Sequence, residues 1–95
     1  MSYRLRLTER AAKDFDRLPN SMKEQVDRRF DVLVENPRPP KSKALTEKEL
    51  RGSYRVHVGP DYCIAYDIDD AAQVVDVWLI GHRKSFYEVA KRRRR

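Results

Sequence analysis

Residues 54–80 read YRVHVGPDYCIAYDIDDAAQVVDVWLI, and their side chains alternate between apolar and polar types in three successive runs. Alternation with a period of two is typical of strands that bury one face. Residues 59–61 (Gly-Pro-Asp) and 69–72 (Asp-Asp-Ala-Ala) separate the runs, and both are typical turn sequences. The stretch therefore predicts three consecutive antiparallel strands, over residues 54–58, 62–68 and 73–80.

The predicted loop lengths determine which side chains share a face of the sheet. One face is apolar and has to pack on helices: Tyr54, Val56, Val58, Tyr62, Ile64, Tyr66, Val75, Val77 and Leu79. The other face is mixed, and we expect it to be open: Arg55, His57, Cys63, Ala65, Asp67, Val74, Asp76, Trp78 and Ile80. A three-residue first loop places His57 opposite Cys63, and a slip of one residue would bury Arg55 and His57 in the core.

The residues before this meander predict one further strand and two helices. Residues 3–7 alternate Tyr and Leu with Arg, which indicates a short strand. Thr8 can cap a helix that runs from Glu9 to about Leu18. Residues 21–24 (Ser-Met-Lys-Glu) form a predicted capping box for a longer helix, and Asn36-Pro37 ends that helix.

The remaining segments complete an α+β prediction. Residues 37–50 contain three of the five prolines and predict a loop, with one helical turn at 46–49. Residues 83–95 predict a final helix. The expected order is β-α-α-β-β-β-α, with a helical hairpin that covers a mostly antiparallel sheet. We expect one domain over residues 1–91 and a basic tail at 92–95.

Composition limits the classes of function. The 95 residues are enough for one domain, and residues 83–95 carry the whole net charge of +6. A basic segment of this kind attracts RNA, DNA or another polyanion. The single cysteine excludes an internal disulfide and fits a cytoplasmic location, and the two His offer no zinc-ligand spacing. No apolar run reaches the ~18 residues of a membrane span. We therefore expect no metal, no cofactor and no membrane contact.

Ordinary structural roles also account for these residues. Arg55 and His57 can lie on a solvated outer face of the sheet. Trp78 can pack under the C-terminal helix. A terminal run of arginines is often a flexible, solvated tail. The residues alone thus leave open whether the mixed face binds anything.

Three segments extend the interpretation because together they resemble the RelE/ParE superfamily of toxins from toxin–antitoxin pairs. They are LRGSYRVHV (50–58), DYCIAYDID (61–69) and IGHRKSFY (80–87), and the Gly-His-Arg-Lys-x-x-Tyr pattern in the last is the most specific. The resemblance covers nearly the whole chain and implies a cognate antitoxin as partner, in a hetero-oligomer. Members that resemble RelE cleave messenger RNA in the ribosomal A site without a metal. Members that resemble ParE poison DNA gyrase and lack the nuclease residues.

The resemblance also implies roles for particular residues of this sequence. Catalytic roles fall on Arg55, His57, Arg83 and Tyr87. RNA contacts are predicted for Arg51, Trp78, His82 and Lys84. Cys63 departs from the family pattern, which usually has an arginine at this position that contacts phosphate. We predict a RelE-like RNA endonuclease that acts on ribosome-bound mRNA. The alternatives are a ParE-like toxin that acts on gyrase and a catalytically weakened RNA-binding relative.

Metal-free cleavage of RNA uses the 2′-OH of the substrate as nucleophile, so a base, a phosphate clamp and a proton donor are needed. His57 is the best base, because imidazole titrates near ~6.5. Arg55 and Arg83 can only hold phosphate, since guanidinium stays protonated. On an open face, Cys63→Arg is expected to raise activity. Apolar side chains on that face (Val74, Trp78 and Ile80) are expected to leave surface for the antitoxin, which would cover the sheet or displace the terminal helix.

Overall fold

The computed structural model describes residues 2–95, and its sheet has five strands in the order β1-β5-β4-β3-β2. The strands are β1 (Arg4–Leu7), β2 (Lys43–Ala44), β3 (Ser53–Val58), β4 (Tyr62–Asp69) and β5 (Val74–His82). The helices are α1 (Glu9–Asp16), α2 (Asn20–Glu35) and α3 (Phe86–Arg94), with a 3-10 turn at Lys48–Leu50. β1 is parallel to β5, and the other neighbours are antiparallel. The predicted α+β class and element order are confirmed, and β2 is an added edge strand.

The starts of the two N-terminal helices differ from each other in how they are capped. The Thr8 hydroxyl accepts a hydrogen bond from the Ala11 amide at 3.2 Å, so the predicted cap of α1 is confirmed. The predicted capping box of α2 is wrong. The Pro19 carbonyl accepts from the amides of Met22 and Lys23, both at 2.9 Å, so the chain is already helical at Asn20. Ser21 therefore lies inside the first turn, where it cannot act as the cap.

The main core lies between the sheet and the helical hairpin of α1 and α2. α2 buries one stripe at helical spacing, formed by Val26, Phe30 and Leu33. These side chains pack on the predicted apolar face of the meander, including Val56, Ile64, Tyr66, Val75 and Val77. The predicted register of β3 against β4 is confirmed, with His57 opposite Cys63 and Arg55 opposite Ala65.

A β-bulge in β5 changes the side on which its last residues lie. Val77 pairs with Tyr66 and Leu79 pairs with Ala65, which leaves Trp78 as an extra residue between them. Alternation is therefore interrupted at Trp78. Leu79 joins Trp78 on the second face and Ile80 joins the main core, so both are on the opposite sides from those predicted.

The second face of the sheet is covered, and the expectation of an open face is wrong there. Its apolar residues form a second core with side chains from α3 and from the segment before β3: Leu45, Leu50, Cys63, Ala65, Trp78, Leu79, Phe86 and Ala90. Cys63 is 2% exposed and Trp78 is 4% exposed. Val74 and Ile80 are buried as well, so the apolar surface expected to receive an antitoxin is not free.

Two arginines near the end of α3 hold this helix on the sheet. Arg93 donates to both carboxylate oxygens of Asp14 at 2.8 and 2.9 Å and to the Trp78 carbonyl at 3.0 Å. Arg94 pairs with Asp67 at 2.8 Å, and its guanidinium lies 4.0 Å from the centre of the Trp78 ring. The predicted C-terminal helix is present, but it begins three residues later than expected, at Phe86. It includes Arg92, Arg93 and Arg94, which were predicted to belong to a basic tail.

The loop before β2 forms hydrogen bonds with β3, with β4 and with the turn between β4 and β5. Arg38 donates to both carboxylate oxygens of Asp70 and to the Tyr54 hydroxyl. The buried Tyr66 hydroxyl donates to the Pro37 carbonyl at 2.7 Å, and burial raises the pKa of Tyr66 to about 12. These bonds fix the path of the chain into β2. Within residues 2–95, no helix is both long enough and apolar enough to cross a membrane.

The burial of Cys63 reverses the expected effect of Cys63→Arg. A larger, charged side chain at this position would overpack the second core, so we expect a loss of about 1–3 kcal/mol of stability. The matched control is Val32→Arg, since Val32 is 42% exposed on α2 and such changes stay within about 0.5 kcal/mol. Thermal unfolding of both variants measures the difference. An unchanged Tm for Cys63→Arg, with increased activity, would contradict the burial described above.

Candidate active site

Arg55 joins two other predicted site residues on the covered face of the sheet. Its Nε donates to the Tyr87 hydroxyl at 2.9 Å, and its Nη1 lies 2.7 Å from Nε2 of His57. Arg55 and His57 are two residues apart on β3, so their side chains lie on the same face. Tyr87 is in the first turn of α3 and is 38% exposed. The docking of α3 thus brings the phenol to the strand.

The second ring nitrogen of His57 faces Cys63 on the neighbouring strand. The distance from Nδ1 to Sγ is 3.2 Å. Partial desolvation of the ring lowers the pKa of His57 below 6.5, and the positive charges of Arg55, Arg83 and Lys43 lower it further. Burial raises the pKa of the Cys63 thiol above its ordinary value. At neutral pH the site therefore contains a neutral imidazole and a neutral thiol.

Arg83 lies at the edge of the same cluster, in the turn between β5 and α3. Its backbone N–H donates to the Asp61 carbonyl at 2.7 Å, and its Nε is 4.0 Å from the Asp61 carboxylate. More than half of the Arg83 side chain is exposed. Its charge acts on both His57 and Cys63. The positive charge of Arg83 thus acts on the imidazole, and its exposed guanidinium is available to an incoming anion.

Lys43 is a site residue that the sequence did not indicate. It lies on β2 directly opposite Arg55, is exposed, and its charge lowers the pKa of His57. A two-residue strand is too short to show an alternating pattern, so this segment was expected to be a loop. The only signal in the sequence is the pair of lysines at 41 and 43.

The residues predicted to contact RNA do not all lie at this cluster. Trp78 is buried beneath Arg94, and its indole N–H donates to Asp67 at 3.2 Å, so the ring cannot stack on a base. His82 pairs with Tyr62 and contacts its ring edge-on, on the face opposite His57. Arg51 and Lys84 are exposed next to β3 and Arg83 respectively. Both remain predictions as RNA contacts.

The cluster combines cations with uncharged proton carriers. Lys43, Arg55 and Arg83 supply positive charge, while the His57 imidazole and the Tyr87 hydroxyl are groups that can exchange protons. The part of the chain that the structure describes contains no group of three or more His, Cys, Asp or Glu side chains able to hold a metal ion. Such a site is suited to bind a phosphate group and to move protons beside it.

Comparison with known proteins identifies the family. The sequence matches the family model described as the ParE toxin of the type II toxin–antitoxin system, parDE, over residues 5–87. The chain therefore belongs to this family of toxins, within the RelE/ParE superfamily. No match was found among curated protein sequences.

Solved structures of related toxins share the fold. A chain of the RelBE2 toxin–antitoxin complex from Mycobacterium tuberculosis is 28% identical, with a TM-score of 0.77, over 87% of this chain and 100% of that one. The isolated E. coli RelE toxin is 26% identical, with a TM-score of 0.74, over 97% and 98% of the two chains. YafQ from E. coli BL21(DE3) is 18% identical, with a TM-score of 0.72, over 90% and 98%, and shows the fold alone.

The charges around His57 can be tested by titration in the free protein. We expect the imidazole pKa of His57 to lie below ~6.5, and Arg55→Gln to raise it, because that change removes a neighbouring positive charge. Arg10→Gln on α1 is a control for general loss of charge. NMR titration of the imidazole C–H signals gives the values. A pKa at or above the ordinary value, or equal effects of both substitutions, would contradict the cluster.

Proposed function

We propose that this toxin is a metal-independent RNA endonuclease that acts on ribosome-bound mRNA in the cytoplasm and so inhibits translation. The observation that supports this most strongly is the contact of one guanidinium, Arg55, with both the His57 imidazole and the Tyr87 phenol. A phosphate that binds Arg55 would lie beside a proton acceptor and a proton donor. Those are the groups that attack by the 2′-OH requires.

In the proposed reaction the 2′ oxygen of the substrate attacks the adjacent phosphorus. His57 Nε2 takes the 2′ proton, and Arg55 and Arg83 stabilise the charge that develops on the phosphate oxygens. The Tyr87 hydroxyl gives its proton to the departing 5′ oxygen, and the Arg55 N–H stabilises the phenolate. The products are a 2′,3′-cyclic phosphate and a 5′-OH. The proton on His57 returns to Tyr87 through solvent, which restores the enzyme.

The ribosome would supply the positioning that the protein lacks. The cluster offers charge and proton transfer but no pair of side chains arranged to read base edges. Lys43, Arg55 and Arg83 can bind the phosphate of any nucleotide. We therefore assign the choice of cleavage point to the ribosome, which presents the mRNA, and assign cleavage to the toxin.

We also propose that a cognate antitoxin binds the toxin and inhibits it through α3. The related structures include toxin–antitoxin complexes, among them RelBE2 from M. tuberculosis and RelBE from E. coli. The second core is covered mainly by α3, so an apolar antitoxin segment would need to displace this helix to bury itself there. Displacement would separate Tyr87 from Arg55 and remove Arg94 from the Trp78 ring.

Inhibition of DNA gyrase is the second candidate function. It is favoured by the match to the ParE toxin model and by Cys63, which replaces the arginine that the nuclease branch usually has. A catalytically weakened RNA-binding relative would share this feature. A DNA supercoiling assay with purified gyrase separates the gyrase candidate from the nuclease.

Loss of Arg83 tests the nuclease proposal. In a purified translation system, we expect Arg83→Ala to lower mRNA cleavage by at least ~10²-fold, the usual scale for removing a donor to the transition state. Arg28→Ala on α2 is the control for loss of one exposed charge. Mapping of the RNA ends should show cyclic phosphate and 5′-OH. A 2′-deoxy substitution at the cleavage point should abolish the reaction.

Two results would defeat this proposal. One is undiminished cleavage by Arg83→Ala, and the other is cleavage of the 2′-deoxy substrate. Inhibition of gyrase by wild-type toxin, with mRNA left intact, would establish the second candidate in its place.

The antitoxin proposal can be tested through Trp78, which is the only tryptophan in the chain. The toxin is labelled with 5-fluorotryptophan and mixed with the unlabelled cognate antitoxin. Displacement of α3 should shift the fluorine NMR signal, because Arg94 no longer covers the ring and an antitoxin segment takes its place. A tight complex that leaves the signal of Trp78 unchanged would contradict displacement.

A further inference from the structure

The hydrogen-bond partners of His57 determine which ring nitrogen carries the proton. Nη1 of Arg55 lies 2.7 Å from Nε2. A guanidinium has only N–H donors and stays protonated, so Nε2 has to be the acceptor. Nε2 therefore has a free lone pair and no proton. The neutral imidazole must then carry its proton on Nδ1.

Cys63 is the partner of that proton. Its sulfur lies 3.2 Å from Nδ1, on the residue directly opposite His57 in the sheet. Burial raises the pKa of the thiol, so the sulfur is present as a neutral thiol and acts as the acceptor. Since Cys63 is 2% exposed, water has little access to the sulfur. The Nδ1–H···Sγ contact is thus held by the strands and the second core.

We propose that Cys63 is a positioning residue that keeps the proton of His57 on Nδ1, while Arg55 caps Nε2 until a substrate phosphate draws the guanidinium away. This inference rests on the proposed nuclease function and adds the residue that prepares its base. In the free toxin Nε2 is occupied and cannot accept a substrate proton. Binding of a phosphate to Arg55 uncovers the lone pair at the place where the 2′-OH arrives.

Cys63 determines the tautomer of His57 once the Arg55 guanidinium has moved away from Nε2. A neutral histidine side chain in water favours the tautomer with the proton on Nε2, and in that form Nε2 cannot act as a base. The charged groups around the ring are Lys43 on β2, Arg55 on β3 and Arg83 after β5. All are cations and none can accept the Nδ1 proton. On β4 the Cys63 sulfur, 3.2 Å from Nδ1, retains it there once the guanidinium has moved, alongside a backbone hydrogen bond at Tyr62 that raises the pKa of His57.

The same reasoning explains why cysteine is compatible with His57 and arginine is not. The superfamily pattern usually places an arginine at position 63. A guanidinium there would present donors to Nδ1–H and would favour transfer of the proton to Nε2. Histidine at 57 and a neutral acceptor at 63 therefore form a matched pair in this chain.

The test reads the tautomer of His57 in the free toxin by nitrogen-15 NMR, at about pH 8, where the imidazole is neutral. Arg55→Ala removes the cap and imitates the substrate-bound state. We expect wild type and Arg55→Ala both to keep the proton on Nδ1. The double variant Arg55→Ala/Cys63→Ala should shift mainly to the Nε2–H form, and Arg55→Ala/Cys63→Ser should restore the Nδ1–H form.

Two results of this experiment would overturn the proposal. One is an Nε2–H majority in Arg55→Ala alone. The other is an Nδ1–H majority in the double alanine variant, which would show that the sulfur is not needed. Because no RNA is present, neither result depends on whether the toxin is a nuclease.

Cleavage kinetics give the second measurement. Cys63→Ala should lower kcat by at least ~10-fold with KM unchanged, because the tautomer affects the chemical step and not binding. Cys63→Ser should keep most of the wild-type kcat. Equal losses in both variants, at equal Tm, would contradict the tautomer role. If wild type itself cleaves no RNA while the NMR results hold, the proposed function fails and the assignment of the tautomer stands.

Discussion

The ion pair between Arg93 and Asp14 joins the C-terminal helix to α1, and the cover on the second face of the sheet depends on that docking. Both side chains are largely buried, with 18% and 11% exposure, so removal of one partner would leave a buried charge without compensation. With α3 in place, Phe86 and Ala90 complete the second core and Tyr87 reaches Arg55. One contact far from the cluster therefore supports both the burial of Cys63 and the assembly of the candidate active site.

Much of the fold could be predicted because apolar and polar side chains alternate so regularly along the three strands of the meander. The turn at residues 59–61 determined the register of β3 and β4, and that register correctly placed Arg55 and His57 together and Cys63 opposite His57. The bulge at Trp78 could not be predicted, because an extra residue in a strand depends on how its neighbours pack. β2 is too short to show a pattern. The C-terminal helix was predicted, but its many arginines gave no sign that Phe86 and Ala90 pack on the second face of the sheet.

The candidate site was predicted in two different ways. The side-by-side placement of Arg55 and His57 followed from strand alternation, whereas the roles of Arg83 and Tyr87 came from the family resemblance. The contact of Tyr87 with Arg55 and the tautomer of His57 depend on distances that no sequence pattern contains. Lys43 is not predicted as a site residue because the short strand β2 is not predicted. Trp78 is predicted to contact RNA because its face of the sheet is expected to be open. Tertiary packing decided each of these cases.

The central claim is that the cluster around Arg55 binds the reacting phosphate of an RNA. A crystal structure of the toxin with an RNA that is 2′-O-methylated at the cleavage point tests this most directly. The account predicts that the phosphate contacts Arg55 and Arg83, that Arg55 has left Nε2 of His57, and that the 2′ oxygen faces that nitrogen. An RNA bound elsewhere, with the contact between Arg55 and His57 intact, would contradict the account.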